Sequence, residues 1–213
     1  MHEQEGVIKF QLNFQPAAVL TAGQISEINA WRTLLHQLGM LGQHPKRYDN
    51  YGFGNLSQRS GQNEFMISGT QTGGPLQLQA ADYALVTKVD IGCNQLWACG
   101  DTAPSSESMT HAAIYQADAR VQVVVHAHCP AIWQQTAALQ LPHTSADIPY
   151  GTVEMALAVQ QLVCQQGDAP ALFTMLGHED GVVSYGRSFT EAVSLLCQQY
   201  AKALALGAAP NLR

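Results

Sequence analysis

Two histidines one residue apart close a run of β-branched residues, Val121-Gln-Val-Val-Val-His-Ala-His128. A Val-rich run of this length predicts a buried strand. Alternate residues of a strand face the same way, so His126 and His128 project together, about 7 Å apart along the backbone. Two imidazoles on one face at a strand end suit either a metal ion or a hydrogen-bonded pair at a strand edge. Cys129 follows directly, but its place in the alternation turns it to the opposite face from His128. A third imidazole, His178, sits just past another strand in Gly177-His178-Glu179-Asp180-Gly181. With it the set has three nitrogen donors and an open fourth position, the pattern of catalytic zinc.

Pro104-Ser-Ser-Glu107 opens a helix. Ser105 or Ser106 is its natural N-cap, and Glu107 falls in the first turn, where the helix dipole favours an anion. Serines at a helix start also bind phosphate through free amides. Glu107 and His111 are four apart and share a helical face. Taken alone, Glu107 reads as a capping carboxylate. Glycines flank Asn55 and Ser57 in Tyr51-Gly-Phe-Gly-Asn-Leu-Ser57, follow Ser68 at Gly69, and recur at Gly73-Gly74. Such loops either let backbone amides approach a bound anion or close ordinary hairpins. His2, His36, His44 and His143 have no comparable context and read as surface or satisfied residues.

The elements that must position these groups follow from periodicity and punctuation. Val7 to Phe14 alternates and predicts an edge strand. Thr21 or Ser26 caps a helix running to about Leu41, its core face formed by Ile25, Ile28, Trp31, Leu34, Leu35 and Leu38. Gly39 to Asn50 reads as a loop. Strands are expected at Tyr83–Asp90, Asn94–Ala98, Pro170–Leu176 and Val182–Tyr185. Helices are expected at Pro130–Ala138, Gly151–Gln165 and Ser188–Ala205, the last with Ser188 and Glu191 as a capping box. Thr144 to Pro149 is a connection or short strand. Residues 1–20 form an edge segment and 207–213 a frayed tail.

Bulk properties narrow the class. The 213 residues fit one large domain, or two small ones at most, and a 46% hydrophobic content is enough for a core. Net charge is −6 with no run of four or more Lys or Arg, so no nucleic-acid footprint is expected. No apolar run is long enough for a transmembrane helix, and no signal peptide is read. Five cysteines without a Cys-x-x-Cys pair point to free thiols in a reducing, cytoplasmic setting.

Gly54-Asn55-Leu56-Ser57, Ser68-Gly69, Pro104-Ser105-Ser106-Glu107 with His111 and Tyr115, His126-Ala127-His128, and Gly177-His178 before Gly181-Val182-Val183 together resemble the class II aldolase/adducin family, over roughly residues 24 to 205. The Pro-Ser-Ser-Glu and His-x-His elements carry most of the likeness. The resemblance implies a three-layer α/β/α fold with a central, largely antiparallel sheet. It implies a cyclic homotetramer with sites at subunit boundaries. It implies Zn²⁺, or another divalent ion, held by His126, His128 and His178, with Glu107 as the acid/base carboxylate. Asn55, Ser57, Ser68, Gly69, Ser105 and Ser106 are the residues it places around a substrate phosphate.

The activity implied is lyase chemistry on a small hydroxy-carbonyl compound, such as a sugar phosphate. A metal ion polarises a carbonyl and stabilises an enediolate, and a carboxylate moves the proton. Dehydration, epimerisation and decarboxylation occur on the same scaffold, adducin heads are non-catalytic interaction modules, and three-histidine zinc hydrolases share the ligand set. This sequence departs from the family pattern in three places. The usual Asn-His-Gly around the third histidine is Gly177-His178-Glu179-Asp180-Gly181, which puts two carboxylates beside the expected metal. Met66-Ile67 stands where Thr-Pro usually precedes Ser-Gly. The tail Ala208-Ala-Pro-Asn-Leu-Arg213 has no tyrosine, and Tyr200 falls inside the last expected helix.

Overall fold

The computed structural model describes residues 6–208. His2 and most of the expected tail lie outside the described residues. In chain order the elements are β1 (Gln11–Pro16), α1 (Ala22–Gln37), β2 (Gly42–Gln43), β3 (Gly52–Phe53), β4 (Asn55–Arg59), β5 (Phe65–Ser68), β6 (Tyr83–Asp90) and β7 (Gln95–Gly100). They continue with α2 (Ser108–Ala117), β8 (Val123–His128), α3 (Pro130–Gln134), β9 (His143–Thr144), α4 (Val153–Gln166), β10 (Ala171–Met175), β11 (Gly181–Gly186) and α5 (Phe189–Ala208).

Among the described residues, nine strands form one sheet in the order β1-β7-β6-β5-β4-β8-β11-β10-β9, and β2 pairs with β3 beside it. Pairing is antiparallel except at the two edges, β1 with β7 and β9 with β10. The Val-rich β8 is therefore central, flanked by β4 and β11, which is why its residues are buried on both faces. Its alternation sorts side chains between two cores. Val124 joins Met109, Ile114, Met155 and Phe173 on the α2/α4 face. Val123, Val125, Ala127 and Cys129 join Ile28, Leu35, Phe189 and Leu196 on the α1/α5 face. Three layers result, helices on both faces of a mostly antiparallel sheet, as expected. Cys129 lies opposite the histidine pair, as its register requires.

Several boundaries differ from the periodicity reading for local reasons. β1 starts at Gln11 rather than Val7 because its partner begins at Gln95. Upstream of it, the Val7 N–H donates to the Tyr150 hydroxyl and Lys9 Nζ to the Tyr150 carbonyl. Thr21 caps α1 in a capping box with Gln24. The helix stops at Gln37, short of Leu41, because Gly39 takes a left-handed φ of 68°. There the Gly39 N–H bonds the His36 carbonyl and the Met40 N–H bonds that of Leu35, a Schellman closure. The buried stripe of α1 is Ile25, Ile28, Arg32 and Leu35. Leu34 and Leu38, expected in the core, are 40% and 41% exposed. Arg32 takes the interior place because its guanidinium donates to the carbonyls of Thr72, Gly73, Pro75 and Leu76. At α5, Ser188 Oγ accepts the Glu191 N–H, while the Glu191 carboxylate turns to the Arg187 N–H instead of closing the box on Ser188.

Candidate functional site

His126 and His128 leave β8 on the face that carries Val124 and α2. His178 lies in the turn between β10 and β11. Antiparallel register sets Gly181 opposite His128, which brings that turn to the end of β8. Two glycines hold it there. A Cβ on Gly177 would sit 2.0 Å from the Ile148 carbonyl oxygen, and one on Gly181 would sit 2.7 Å from the His178 ring. Among the described residues, the three histidines form a group whose candidate ligand atoms all lie within 4.8 Å of one another. Exposure is 0% for His126, 1% for His128 and 3% for His178.

Burial holds the three imidazoles neutral. It pushes His126 and His178 well below the ordinary histidine range, and their histidine neighbours add to the effect. His128 is lowered to about 3, again by burial first, with Asp180 opposing and Arg47 assisting. Neutral imidazoles are what a divalent ion needs. Nε2 of His178 and Nε2 of His128 are 3.1 Å apart. Two nitrogens on one tetrahedral zinc are separated by about 3.3 Å, given zinc–nitrogen bonds of about 2.0–2.1 Å. Nε2 of His126 is buried with no hydrogen-bond partner. Its Nδ1 faces the Asn55 amide at 3.3 Å, while Asn55 Oδ1 has no partner. The two ends of an amide are interchangeable in such a network. With the oxygen toward the ring, Nδ1–H donates to it and Nε2 keeps a lone pair for a metal. The residues therefore fit a divalent cation.

Aromatic rings wall the group. Tyr48 and Phe53 lie 4.6 and 5.5 Å from the His128 ring, centroid to centroid, and Tyr150 lies 4.5 Å from that of His178. Lys9 Nζ sits 3.9 Å from the Tyr150 ring centroid. Sequence reading missed Tyr48, Tyr150 and Lys9. The tyrosines stand in loops, where no period marks them, and Lys9 lies in the expected edge strand Val7–Phe14, whose alternation does not tell which residues reach the histidine group.

The structure places the remaining candidates in two sets. Asn55, Gly69, Ser105 and Ser106 line one narrow cleft with Gly52, Gly54 and Thr70–Gly73. Ser57 and Ser68 lie beneath it. Ser57 Oγ is 2.7 Å from His111 Nδ1 and 2.8 Å from the Tyr115 hydroxyl, and Ser68 Oγ accepts the Leu56 N–H. His111 is fully buried, and desolvation keeps it neutral. Glu107 is 1% exposed and stands at the N-cap of α2, not in its first turn as expected. Ser105 and Ser106 precede it in a turn closed by Ser108 Oγ donating to the Ser105 carbonyl. Thr110 Oγ1 donates to Glu107 Oε2 at 2.8 Å. The expectation of two carboxylates beside the metal is corrected. Glu179 is exposed, the Asp180 carboxylate accepts from Tyr48, and among the described residues no carboxylate joins the histidine group.

A family model described as Class II Aldolase and Adducin N-terminal domain matches residues 43–201. The chain belongs to that family. Solved structures of similar fold include YgbL from Klebsiella pneumoniae, a candidate aldolase/epimerase/decarboxylase, at 18% identity and a TM-score of 0.66, covering 92% of this chain and 94% of that one. They include the l-fuculose-1-phosphate aldolase of Thermus thermophilus, at 19% identity and a TM-score of 0.64, over 88% and 97% of the two chains. The sugar-phosphate aldolase of Thermotoga maritima is similar at 17% identity and a TM-score of 0.61, over 87% and 97%. Comparison with curated protein sequences gave no match. In this class II aldolase fold the histidine group closes the end of β8, and the glycine- and serine-lined cleft opens ahead of α2.

Proposed function

We propose that the protein is a divalent-metal-dependent lyase of the class II aldolase type. It cleaves or forms a carbon–carbon bond in a small hydroxy-carbonyl substrate of sugar-phosphate kind. The observation that carries this reading is the meeting of His126, His128 and His178 as buried, neutral imidazoles within 4.8 Å in a chain of this family. A divalent ion such as Zn²⁺, held by those three side chains, supplies Lewis acidity to a substrate carbonyl. Asn55 fixes the ring orientation of His126. Glu107, buried and oriented by Thr110, moves the proton that bond cleavage and formation require. Among the described residues, the lining of the cleft at Gly69, Ser105 and Ser106 contains no Lys or Arg, so a substrate phosphate there is held by backbone amides and hydroxyls.

A non-catalytic module gains nothing from three buried imidazoles crowded together, because desolvating polar groups is costly. We place the whole chain in one domain, working in the cytoplasm as a ring of four. Five free thiols support the reducing compartment. Among the described residues, no helix is long and apolar enough to cross a membrane. The test is elemental analysis of the purified protein, followed by a retro-aldol screen over phosphorylated and unphosphorylated hydroxy-carbonyl compounds. Bound divalent metal and carbon–carbon cleavage that a chelator abolishes are expected. Epimerisation or decarboxylation without cleavage would move the reaction elsewhere on the scaffold, and a metal-free, inactive protein would end the proposal.

A further inference from the structure

Asp180, two residues beyond His178, takes a left-handed backbone with φ of 61°. Its Oδ2 accepts from the Tyr48 hydroxyl at 2.6 Å. That hydroxyl accepts from Arg47 Nη2 at 2.8 Å. The Tyr48 ring stands edge-on to His128, and also to Phe53 with centroids 5.0 Å apart. The Asp180 carbonyl accepts the N–H of Cys129, the residue after His128. One side chain thus touches one histidine of the group and grips the turn that carries another.

The backbone around Tyr48 is unusual. Tyr48, Asp49 and Asn50 have φ of 48°, 52° and 65°, three consecutive non-glycine residues in the left-handed region. The turn is closed by the Asn50 N–H on the Arg47 carbonyl, the Tyr51 N–H on the Tyr48 carbonyl and Gln43 Nε2 on the Asn50 carbonyl. Conformations of this kind persist where the surroundings over-determine them, and they cluster at functional sites. Here the side-chain contacts of Tyr48 lead to His128 and to the His178 turn. Arg47 can only donate, so the Tyr48 hydroxyl must send its own proton to Asp180. The chain of hydrogen bonds has one direction.

We infer that Tyr48 and Asp180 form a clamp that positions His128 and His178 for a divalent cation, with Arg47 fixing the direction of the Tyr48 hydroxyl. This rests on the three-histidine metal reading given above. Both are positioning residues, since neither carries a ligand atom of the group. Partners standing behind metal ligands are worth roughly ten- to a hundredfold in metal affinity.

Zn²⁺ is the probe, titrated in competition with a chromophoric chelator into the wild type, Tyr48→Phe, Asp180→Ala and the double variant. Tyr48→Phe keeps a ring against His128 and removes only the hydroxyl. Each single variant is expected to bind zinc roughly tenfold or more weakly than the wild type. The double variant is expected to be no weaker than the worse single one, because both changes break the same contact. A merely structural contact would lower the melting temperature of the metal-free protein and leave zinc affinity at the wild-type value, which overturns the clamp. Additive losses in the double variant overturn it as well. Should circular dichroism show Tyr48→Phe unfolded, Asp180→Ala decides alone: a tenfold loss supports the clamp and wild-type affinity sinks it. A wild type that binds no zinc removes the three-histidine reading and the clamp with it. A wild type and a Tyr48→Phe variant that bind zinc equally remove the clamp alone.

Discussion

His126, His128 and His178 owe their neutral form to burial. An exposed imidazole near neutral pH divides its time between charged and neutral forms, whereas desolvation holds these three in the neutral form that a divalent ion requires. The wild type is expected to carry about one divalent ion per chain. His126→Ala leaves two donors, which hold zinc poorly, and should lose most of the metal. Elemental analysis of both proteins checks this, and full occupancy in the variant would refute the assignment. Glu107 is not one of the three residues of the histidine group. Glu107→Gln preserves shape and removes basicity, so turnover should fall by roughly 10²- to 10⁴-fold with metal content unchanged. If Glu107 serves only the start of α2, turnover will stay intact and the melting temperature will fall slightly, a loss of about 0.3–1 kcal/mol. Metal content, melting temperature and retro-aldol rate on this one variant separate the two roles.

At the level of elements, the cleft depends on α1. Arg32 lies in the buried stripe of that helix and donates four hydrogen bonds to carbonyls of the segment 72–76, whose first two residues line the cleft. Burial lowers the pKa of its guanidinium, with the charges of Tyr83 and Asp82 opposing. Arg32→Met keeps much of the stem and leaves those carbonyls without their donor. The expected loss is about 2–4 kcal/mol, read as a lower denaturation midpoint. An unchanged midpoint would mean that the loop holds itself. Helical periodicity gave the position of α1 but not the identity of its inner face. Leu34 and Leu38 fit the hydrophobic pattern, yet Arg32 is buried because it finds four carbonyls from a loop forty or more residues away. The start of α2 shows the same limit. Two serines suggested a cap at Ser105 or Ser106, and a turn bonded through Ser108 moved the cap to Glu107.

For the molecule as a whole, the expected assembly is a ring of four chains with each site finished by a neighbour. Sites completed across a boundary require an oligomer. Light scattering at working concentration should give the mass of four chains, and a monomer that remains active would remove the shared-site idea. One sheet with helices on both faces gives the site its rigidity. His126 and His128 stand on a central strand rather than an edge, so their backbone is fixed by hydrogen bonds on both sides.

The sequence by itself determined what depends on near neighbours. A two-residue period put His126 and His128 on one face and Cys129 on the other, because strand geometry alternates whatever the partner strands are. Thr21 and Ser188 marked two helix starts, because a cap bonds to an amide three residues away. Local context singled out His178 and Glu107, one between glycines just past a strand and the other at a helix start, and the family resemblance implied their roles. Only the tertiary structure decided which groups meet. The pairing of β11 with β8 carries His178 to the other two histidines across a separation of fifty residues. The same packing turns Asp180 toward Tyr48, leaves Glu179 in solvent, and sets Tyr150 against His178. Those contacts join residues from loops, where no period links one side chain to the next, and they follow from the register of strands far apart in the chain.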